Sequence, residues 1–130
     1  MIYEISVQTT SRTQFKDITD DIQKVIIKSK AKEGICFIFI PHTTAGITIN
    51  ENADPSVRED IIEKLADVIP ENSNYSHAEG NSDAHIKASM VGFSQTVFIE
   101  EGKLLLGTWQ GIYFCEFDGP RTRKVMVKII

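Results

Sequence analysis

The chain has 130 residues, which fits one domain that buries about two-thirds of the surface exposed by its unfolded form. The formal net charge of −4 argues against a general nucleic-acid-binding protein, because such proteins neutralise phosphates with a concentrated Lys/Arg surface. No apolar run approaches the roughly 20 residues needed to span a bilayer, and the first residues do not resemble a secretion signal. We therefore expect a cytoplasmic protein without a membrane partner.

The first half of the chain carries the patterns of three strands and two helices. Alternating apolar residues predict the first strand, and Pro41 stops a continuous apolar run that predicts a central, well-buried strand. Apolar residues at helical spacing predict the first helix, and Asp54-Pro55 caps the second, which Pro70 ends. In chain order, the predicted elements are a strand over 2–8, a helix over 17–30, strands over 34–40 and 45–50, and a helix over 55–69.

The second half predicts one short helix and four strands. A polar loop over 72–80 precedes a helix that Asn81 or Ser82 can cap and that Gly92 ends. The predicted strands, arranged as an antiparallel meander, cover 96–100, 104–109, 112–117 and 124–129. The whole chain, residues 1–130, is thus expected to be a single α+β domain with mixed or antiparallel sheets and about three helices.

The three histidines are the first candidates for a functional site. His42 follows the buried strand, His77 lies in the polar loop and His85 lies on the short helix. If their imidazoles converge, they can hold a zinc-type metal with an open position, and a nearby carboxylate can complete or orient the set. The candidate carboxylates are Glu51, Glu79 and Asp83. The spacing matches no compact metal motif. The alternative is that His42 makes a hydrogen bond at the strand end, His77 is an exposed loop residue and His85 lies on the helix surface.

Two segments could bind an anion. The helix that begins near Asn81 can receive a phosphate oxygen at its N-terminus, with Lys87 one turn along, although Asp83 would repel phosphate unless Mg²⁺ intervened. Arg121 and Arg123 follow a turn, and Arg suits bidentate phosphate recognition. The alternative for the arginines is an exposed, charged edge strand.

Two further segments offer aromatic and carboxylate chemistry. Trp109 and Gln110 can stack on and hydrogen-bond a planar heterocycle such as a pyrimidine, and core packing is the equal alternative for Trp109. Asn50 and Glu51 stand where a strand ends before a capped helix, so Glu51 can act as a base or bind Mg²⁺. Cys36 and Cys115 lie in apolar runs and are expected to be free, buried thiols.

Three blocks of the sequence together resemble the YjbQ family. They are Pro41 to Pro55 with its His-Thr-Thr-Ala-Gly run, Glu79 to Ser89, and a set of positions from Ser94 to Ile112 that includes Gly107-Thr108-Trp109-Gln110. With the segments that join them, these blocks cover nearly everything from Pro41 to Arg121. The resemblance implies a small α+β protein, generally a homotrimer, and several family members are assigned secondary thiamine-phosphate synthase activity.

That activity joins a hydroxymethylpyrimidine diphosphate to a thiazole phosphate and releases pyrophosphate. By resemblance we predict catalytic roles for His42, Glu51 and His85, with Mg²⁺ and cationic side chains assisting the departing diphosphate. The predicted substrate contacts are Thr43, Thr44, Asn50, Asn81, Lys87, Trp109, Gln110 and Arg121. The dedicated thiamine-phosphate synthase is a TIM barrel, an architecture of about 250 residues, so this chain would be a separate enzyme with that activity as a main or side reaction.

Two other functions remain open at this point. One is a trimeric protein that binds a small phosphorylated metabolite or a metal without turnover. The other is a metal-assisted hydrolase in which His42, His77 and His85 hold a metal that activates water. Stoichiometric copurified metal and hydrolysis sensitive to chelators would distinguish the hydrolase from the binding protein.

Overall fold

A computed structural model describes residues 1–130 and contains three helices and eight strands. The helices are α1 (Thr19–Ser29), α2 (Pro55–Val68) and α3 (Ser82–Val91). The strands are β1 (Tyr3–Gln8), β2 (Gln14–Asp17), β3 (Gly34–Phe39), β4 (Ala45–Glu51), β5 (Ser94–Glu100), β6 (Lys103–Leu104), β7 (Gln110–Glu116) and β8 (Thr122–Ile129).

The strands form two antiparallel sheets. The larger has the order β1-β8-β3-β5-β6, and the smaller has the order β2-β7-β4. The main core contains one face of each sheet and the apolar stripe of α1, for example Ile26 with Ile38, Ile47 and Val125, all fully buried. Because three helices accompany two sheets whose strands all pair antiparallel, the predicted α+β class is confirmed.

Strand β3 lies at the centre of the larger sheet, as predicted, but only one of its faces is buried. Cys36 and Ile38 are inaccessible, whereas Ile35, Phe37 and Phe39 on the other face are 37–39% exposed. The alternation follows from the two-residue period of a strand. The prediction of a well-buried strand is therefore wrong for the outer face, because a wholly apolar sequence does not reveal which face is covered.

The C-terminal meander was wrongly predicted. Residues 105–109 lie outside any strand, and Gln110-Gly111, which the sequence suggests as a turn, begins β7. β7 pairs with β2 and β4 in the smaller sheet, whereas β8 pairs with β1 and β3 in the larger one. Short β2 was not predicted, because Gln14–Asp17 offers only one apolar side chain.

The helices and cysteines follow the predictions. Asp54 caps α2 by accepting a hydrogen bond from the Ser56 N–H at 2.9 Å, and Gly92 occupies the C-cap of α3. Cys36 and Cys115 are free and buried, and burial raises the pKa of the Cys36 thiol to about 11. No helix combines the length and the apolar character that a membrane span requires.

Candidate functional site

A polar cleft of about 510 Å³ opens where three separate segments meet. The β3–β4 connection, the loop before α3 with its first turns, and the turn before β8 each supply part of its wall. The lining residues are Pro41, His42, Thr43, Thr44, Glu79, Asn81, His85, Asp118, Arg121 and Arg123. None is apolar except the proline, so the cleft suits a polar or charged small molecule, and we call this set the polar cleft.

A buried ion pair fixes the floor of the polar cleft. Arg123 is 3% exposed and pairs with the fully buried Glu116 through its Nε at 2.8 Å and through Nη2. The same Nη2 donates to the Thr44 Oγ1 at 2.8 Å, which ties the β3–β4 connection to β8. Since its guanidinium is held in this way, Arg123 positions the cleft wall, and Glu116 balances its charge.

A second network joins α3 to the turn before β8. The Asn81 side-chain N–H donates to the Asp118 carboxylate at 3.0 Å instead of capping α3. Arg121 donates through Nε to the Asp118 carbonyl at 2.9 Å and through Nη2 to its carboxylate at 3.2 Å. Two of the five N–H donors of the guanidinium are thus engaged, and the half-exposed side chain can offer the others to a ligand.

His42 is held in one tautomer. Its Nε2 accepts a hydrogen bond from the Lys124 N–H at 2.9 Å, so Nδ1 carries the proton in the neutral ring. Burial, followed by the positive charge of Arg123, lowers the pKa of His42 below its ordinary value of 6.5. At neutral pH, His42 is therefore an uncharged imidazole with one N–H to donate.

The structure brings two pairs of histidines together but not all three as metal ligands. His42 and His85 both line the polar cleft, and the rings of His77 and His85 meet edge to face with centroids 5.5 Å apart. No group of three or more His, Cys, Asp or Glu side chains is placed to hold a metal. Within one chain, the predicted zinc-type set of His42, His77 and His85 therefore does not fit the structure.

Lys87 lies away from the wall of the polar cleft. It is 4% exposed and donates to the Asp83 carboxylate at 3.0 Å, one helical turn back. Arg12 also contacts Asp83, at 3.1 Å. The predicted substrate contact of Lys87 is therefore wrong within this chain, because its charge is already used to neutralise a buried carboxylate.

Four predicted site residues lie at the opposite end of the smaller sheet, namely Asn50, Glu51, Trp109 and Gln110. Strand β4 begins beside the polar cleft at Ala45, which pairs with Glu116, and ends at Glu51, which pairs with Gln110. Six residue steps along a strand span about 20 Å. The structure therefore separates Glu51 from His42 and His85, with which it was grouped as catalytic.

These four residues have local roles at that end. Glu51 accepts a hydrogen bond from the Asp54 N–H at 3.2 Å, next to the start of α2, and the Asn50 side chain accepts from the N–H of Glu51 at 2.7 Å. The Gln110 side chain accepts from the Gly107 N–H at 2.8 Å. Trp109 is 62% exposed, so the core-packing alternative for it is wrong.

Asp118 was not predicted as a site residue, and Glu79 was predicted only as a carboxylate that binds a metal or orients the histidine rings. Both line the polar cleft, and Asp118 accepts hydrogen bonds from two of its other members. The Asp-Gly-Pro run marked a turn but gave no indication of the partner that the turn approaches. Of the residues predicted to be catalytic or to contact substrate, the polar cleft contains His42, Thr43, Thr44, Asn81, His85 and Arg121.

Comparison with known proteins places the chain among close relatives. A UPF0047 protein of Methanocaldococcus jannaschii is 60% identical over 130 residues, covering all of this chain and 94% of its own length. The UPF0047 protein YugU of Bacillus subtilis is 49% identical over all of this chain and 99% of its own length. A crystal structure of a YjbQ/UPF0047 protein from Clostridium acetobutylicum superimposes with a TM-score of 0.96 at 58% identity, covering 98% of this chain and 99% of the other.

A more distant solved structure has the same fold. A YbjQ-like protein from Sulfolobus solfataricus matches with a TM-score of 0.94 at 36% identity, covering 99% of this chain and 95% of the other. The family model described as UPF0047 protein YjbQ-like matches residues 3–130. The chain therefore belongs to the YjbQ family.

Proposed function

We propose that the polar cleft binds a small phosphorylated metabolite and catalyses transfer from a diphosphate ester, with formation of thiamine phosphate as the specific reaction. The observation that carries the proposal is the half-exposed Arg121, which stands with unengaged N–H donors in the same cleft as His42 and His85. The choice of reaction comes from the family resemblance. The phosphate-binding chemistry comes from the residues of the cleft.

Arg121 is the proposed phosphate ligand. A guanidinium matches the geometry of phosphate oxygens, and a hydrogen bond to a charged group contributes about 1.5–3 kcal/mol. Asp118 accepts two hydrogen bonds from the side chain, so the orientation of the guanidinium is set before a ligand arrives. The hydroxyl of exposed Thr43, also in the wall, can donate a further hydrogen bond to phosphate.

The two imidazoles are the proposed acid–base groups. In the reaction, the thiazole nitrogen forms a bond to the pyrimidine methylene carbon, and the bond from that carbon to the diphosphate oxygen breaks. The electron pair of the broken bond leaves on pyrophosphate, which can take a hydrogen bond from the His42 Nδ1–H. His85 can accept a proton from the pyrimidine amine as the carbon–oxygen bond breaks and return it once the carbon–nitrogen bond has formed, so that the product keeps its amine. Positioned proton transfer contributes about 10²–10⁴ in rate.

The cleft also fits the Mg²⁺ that diphosphate chemistry requires. Mg²⁺ prefers carboxylate and carbonyl oxygens and keeps part of its shell for phosphate and water. Asn81 Oδ1 is buried without a hydrogen-bond partner, and the carboxylate of Glu79 lines the same cleft. Glu79 and Asn81 would hold the ion, which would offset the negative charge of the departing pyrophosphate.

A homotrimer is the proposed assembly. Ile35, Phe37, Phe39 and Phe98 leave an apolar patch on the outer face of the larger sheet, and Ile35 and Phe98 are direct partners across strands. Light scattering would give about three times the 14.6 kDa of one chain, and Phe98→Glu should reduce the mass. A monomeric wild-type protein would contradict this assembly.

The proposed location is the cytoplasm, because free buried thiols persist there. Cell fractionation would test this location.

The test is steady-state formation of thiamine phosphate with purified protein, both substrates and Mg²⁺. We expect a kcat/KM of about 10⁴ M⁻¹s⁻¹ or more, which is the lower end for established enzymes. His85→Asn should lower it by about 10²–10⁴, and Arg121→Met by about 10- to 100-fold.

Arg58→Met is the matched control for Arg121→Met. Arg58 donates to the Phe15 carbonyl at 3.2 Å and lies over the Tyr113 ring, outside the polar cleft. The Arg58→Met variant should keep wild-type kinetics, and circular dichroism checks that it is folded. Measurable pyrophosphate binding without turnover would indicate a binding protein and not an enzyme. Failure of both binding and turnover would refute the proposal.

A further inference from the structure

A second hollow lies on the other side of His85. It has a volume of about 340 Å³ and contains no Lys, Arg, Asp or Glu in its wall, in contrast to the polar cleft. The lining residues are Tyr75, Ser76, His77, Ser82, His85 and Ile86, and we call this set the ring hollow. Since His85 lines both spaces, and neighbouring Asn81 and Ser82 each line one, a single ligand can occupy both.

The walls of the ring hollow are aromatic and preformed. The rings of His77 and His85 meet at an interplanar angle of 85°, which leaves the face of one ring beside the edge of the other. The Tyr75 hydroxyl donates to the Pro70 carbonyl at 2.5 Å, so the tyrosine is anchored at its far end. Aromatic walls of this kind favour a flat ring that can stack or meet them edge to face.

Ser82 supplies the polar contact that such a ring would need. The residue is 8% exposed, and its Oγ is buried without any hydrogen-bond partner. Buried polar groups nearly always have a partner, so an orphaned hydroxyl in the wall of an open hollow requires a partner from outside the chain. A hydroxyl can donate to a ring nitrogen or accept from a ring amine, and both occur on heteroaromatic rings.

We propose that the ring hollow binds the flat heteroaromatic part of the phosphorylated ligand, with the Ser82 hydroxyl hydrogen-bonded to a nitrogen of that ring. The phosphate groups then lie in the polar cleft, and His85 stands between the two parts. This inference rests on the proposed function for the phosphate half of the ligand. It adds the place in the fold where the heterocycle binds, and it makes Ser82 a specificity-determining residue.

Calorimetric titration with two probes separates the two spaces. Hydroxymethylpyrimidine diphosphate can occupy both spaces, whereas inorganic pyrophosphate can occupy the polar cleft alone. We expect the pyrimidine compound to bind at least about tenfold more tightly to the wild-type protein. Ser82→Ala should lower the affinity for the pyrimidine compound by about 3- to 10-fold, the range for one neutral hydrogen bond, and leave the affinity for pyrophosphate unchanged.

Ile86→Trp gives a second, steric test. Ile86 is 39% exposed, so a larger side chain can be accommodated at the surface while it fills the ring hollow. The affinity for the pyrimidine compound should fall to that for pyrophosphate. Ser73→Ala is the control, because Ser73 is exposed in the loop before α3 that also supplies Tyr75 and His77. This variant should bind both probes as the wild type does.

The outcomes distinguish this inference from the proposed function. If pyrophosphate binds but Ser82→Ala and Ile86→Trp leave the preference for the pyrimidine compound intact, the ring hollow is refuted and the polar cleft stands. If neither probe binds, the phosphate half of the proposal fails. Phosphate-free hydroxymethylpyrimidine then tests the ring hollow by NMR, where shifts at Ser82 and Ile86 that disappear in Ile86→Trp support it and their absence overturns it.

Discussion

The buried carboxylate of Glu116 should be a main determinant of stability. It is fully buried and accepts hydrogen bonds from Thr9 Oγ1 at 2.8 Å, from two nitrogens of Arg123, and from the N–H groups of Phe117 and Asp118, both at 3.1 Å. Glu116→Gln keeps the shape of the side chain but removes its charge. Arg123, only 3% exposed, would then be a buried cation without a counterion.

Breaking a buried ion pair by neutralising one partner costs about 3–5 kcal/mol, because the remaining charge is uncompensated. A small domain has a total stability of about 5–15 kcal/mol, so the midpoint of unfolding should fall markedly. Urea titration followed by far-UV circular dichroism measures the change at matched protein concentrations, since self-association would alter the apparent stability. The Glu116→Gln/Arg123→Met double variant should lose less than the sum of the single changes.

The pH dependence provides an independent measure of the same pair. Burial raises the pKa of Glu116, but hydrogen bonds from Arg123, the Asp118 N–H and Thr9 outweigh it, and the pKa lies below its ordinary 4.5. The stabilisation is therefore complete above pH 4.5 and is lost as the pH falls toward the folded-state pKa. Glu116→Gln should lack this part of the acid sensitivity. A folded Glu116→Gln within 1 kcal/mol of the wild type would refute the reasoning.

Three further predictions concern single residues. The pKa of His42 is lowered in the folded protein, so the unfolded chain binds a proton at a higher pH than the folded one does. The free energy of unfolding should therefore decrease as the pH drops below 6.5, and His42→Asn should make it less dependent on pH in urea titrations. In Gly46→Ala the new Cβ would lie 2.6 Å from the Gly92 carbonyl oxygen, and a loss of about 1–3 kcal/mol is expected; an unchanged midpoint would contradict that clash. Lys87→Met should cost about 1.5–3 kcal/mol, because the buried Asp83 carboxylate would keep only Arg12 as a cationic partner, whereas a companion Asp83→Asn change should recover part of the loss.

Sequence periodicity and capping residues predicted the helices, because these signals come from residues close together in the chain. The stripe of Ile22, Val25 and Ile26 placed α1, and Asp54 placed the start of α2. The pairing of β7 with β2 and β4 could not be predicted in this way, because it joins residues about 60 to 100 positions apart in the sequence. Turn-forming residues show where a strand can end, but they do not determine which sheet the next strand joins.

The candidate site was predictable in part for the same reason. His42, His85 and Arg121 each stand in a recognisable local segment, and the structure brings all three to one cleft. Glu51 was grouped with them because it ends a strand before a capped helix, in the same Pro41 to Pro55 block as His42, yet β4 carries it about 20 Å away. The buried partners of Lys87 and Arg123 were also invisible, since a sequence does not show which charges neutralise one another across the fold.

The networks that hold the polar cleft explain why it can bind a ligand without first being ordered. Thr44 is fixed to Arg123, and Asp118 is fixed to both Asn81 and Arg121, so all three wall segments are connected by hydrogen bonds in the free chain. A preorganised site avoids the entropy that binding would otherwise lose in ordering side chains. Because Arg121 contacts Asp118 through only two of its N–H groups, phosphate binding can add to that contact without replacing it. The carboxylate of Asp118 therefore orients the cation that it would otherwise be expected to neutralise.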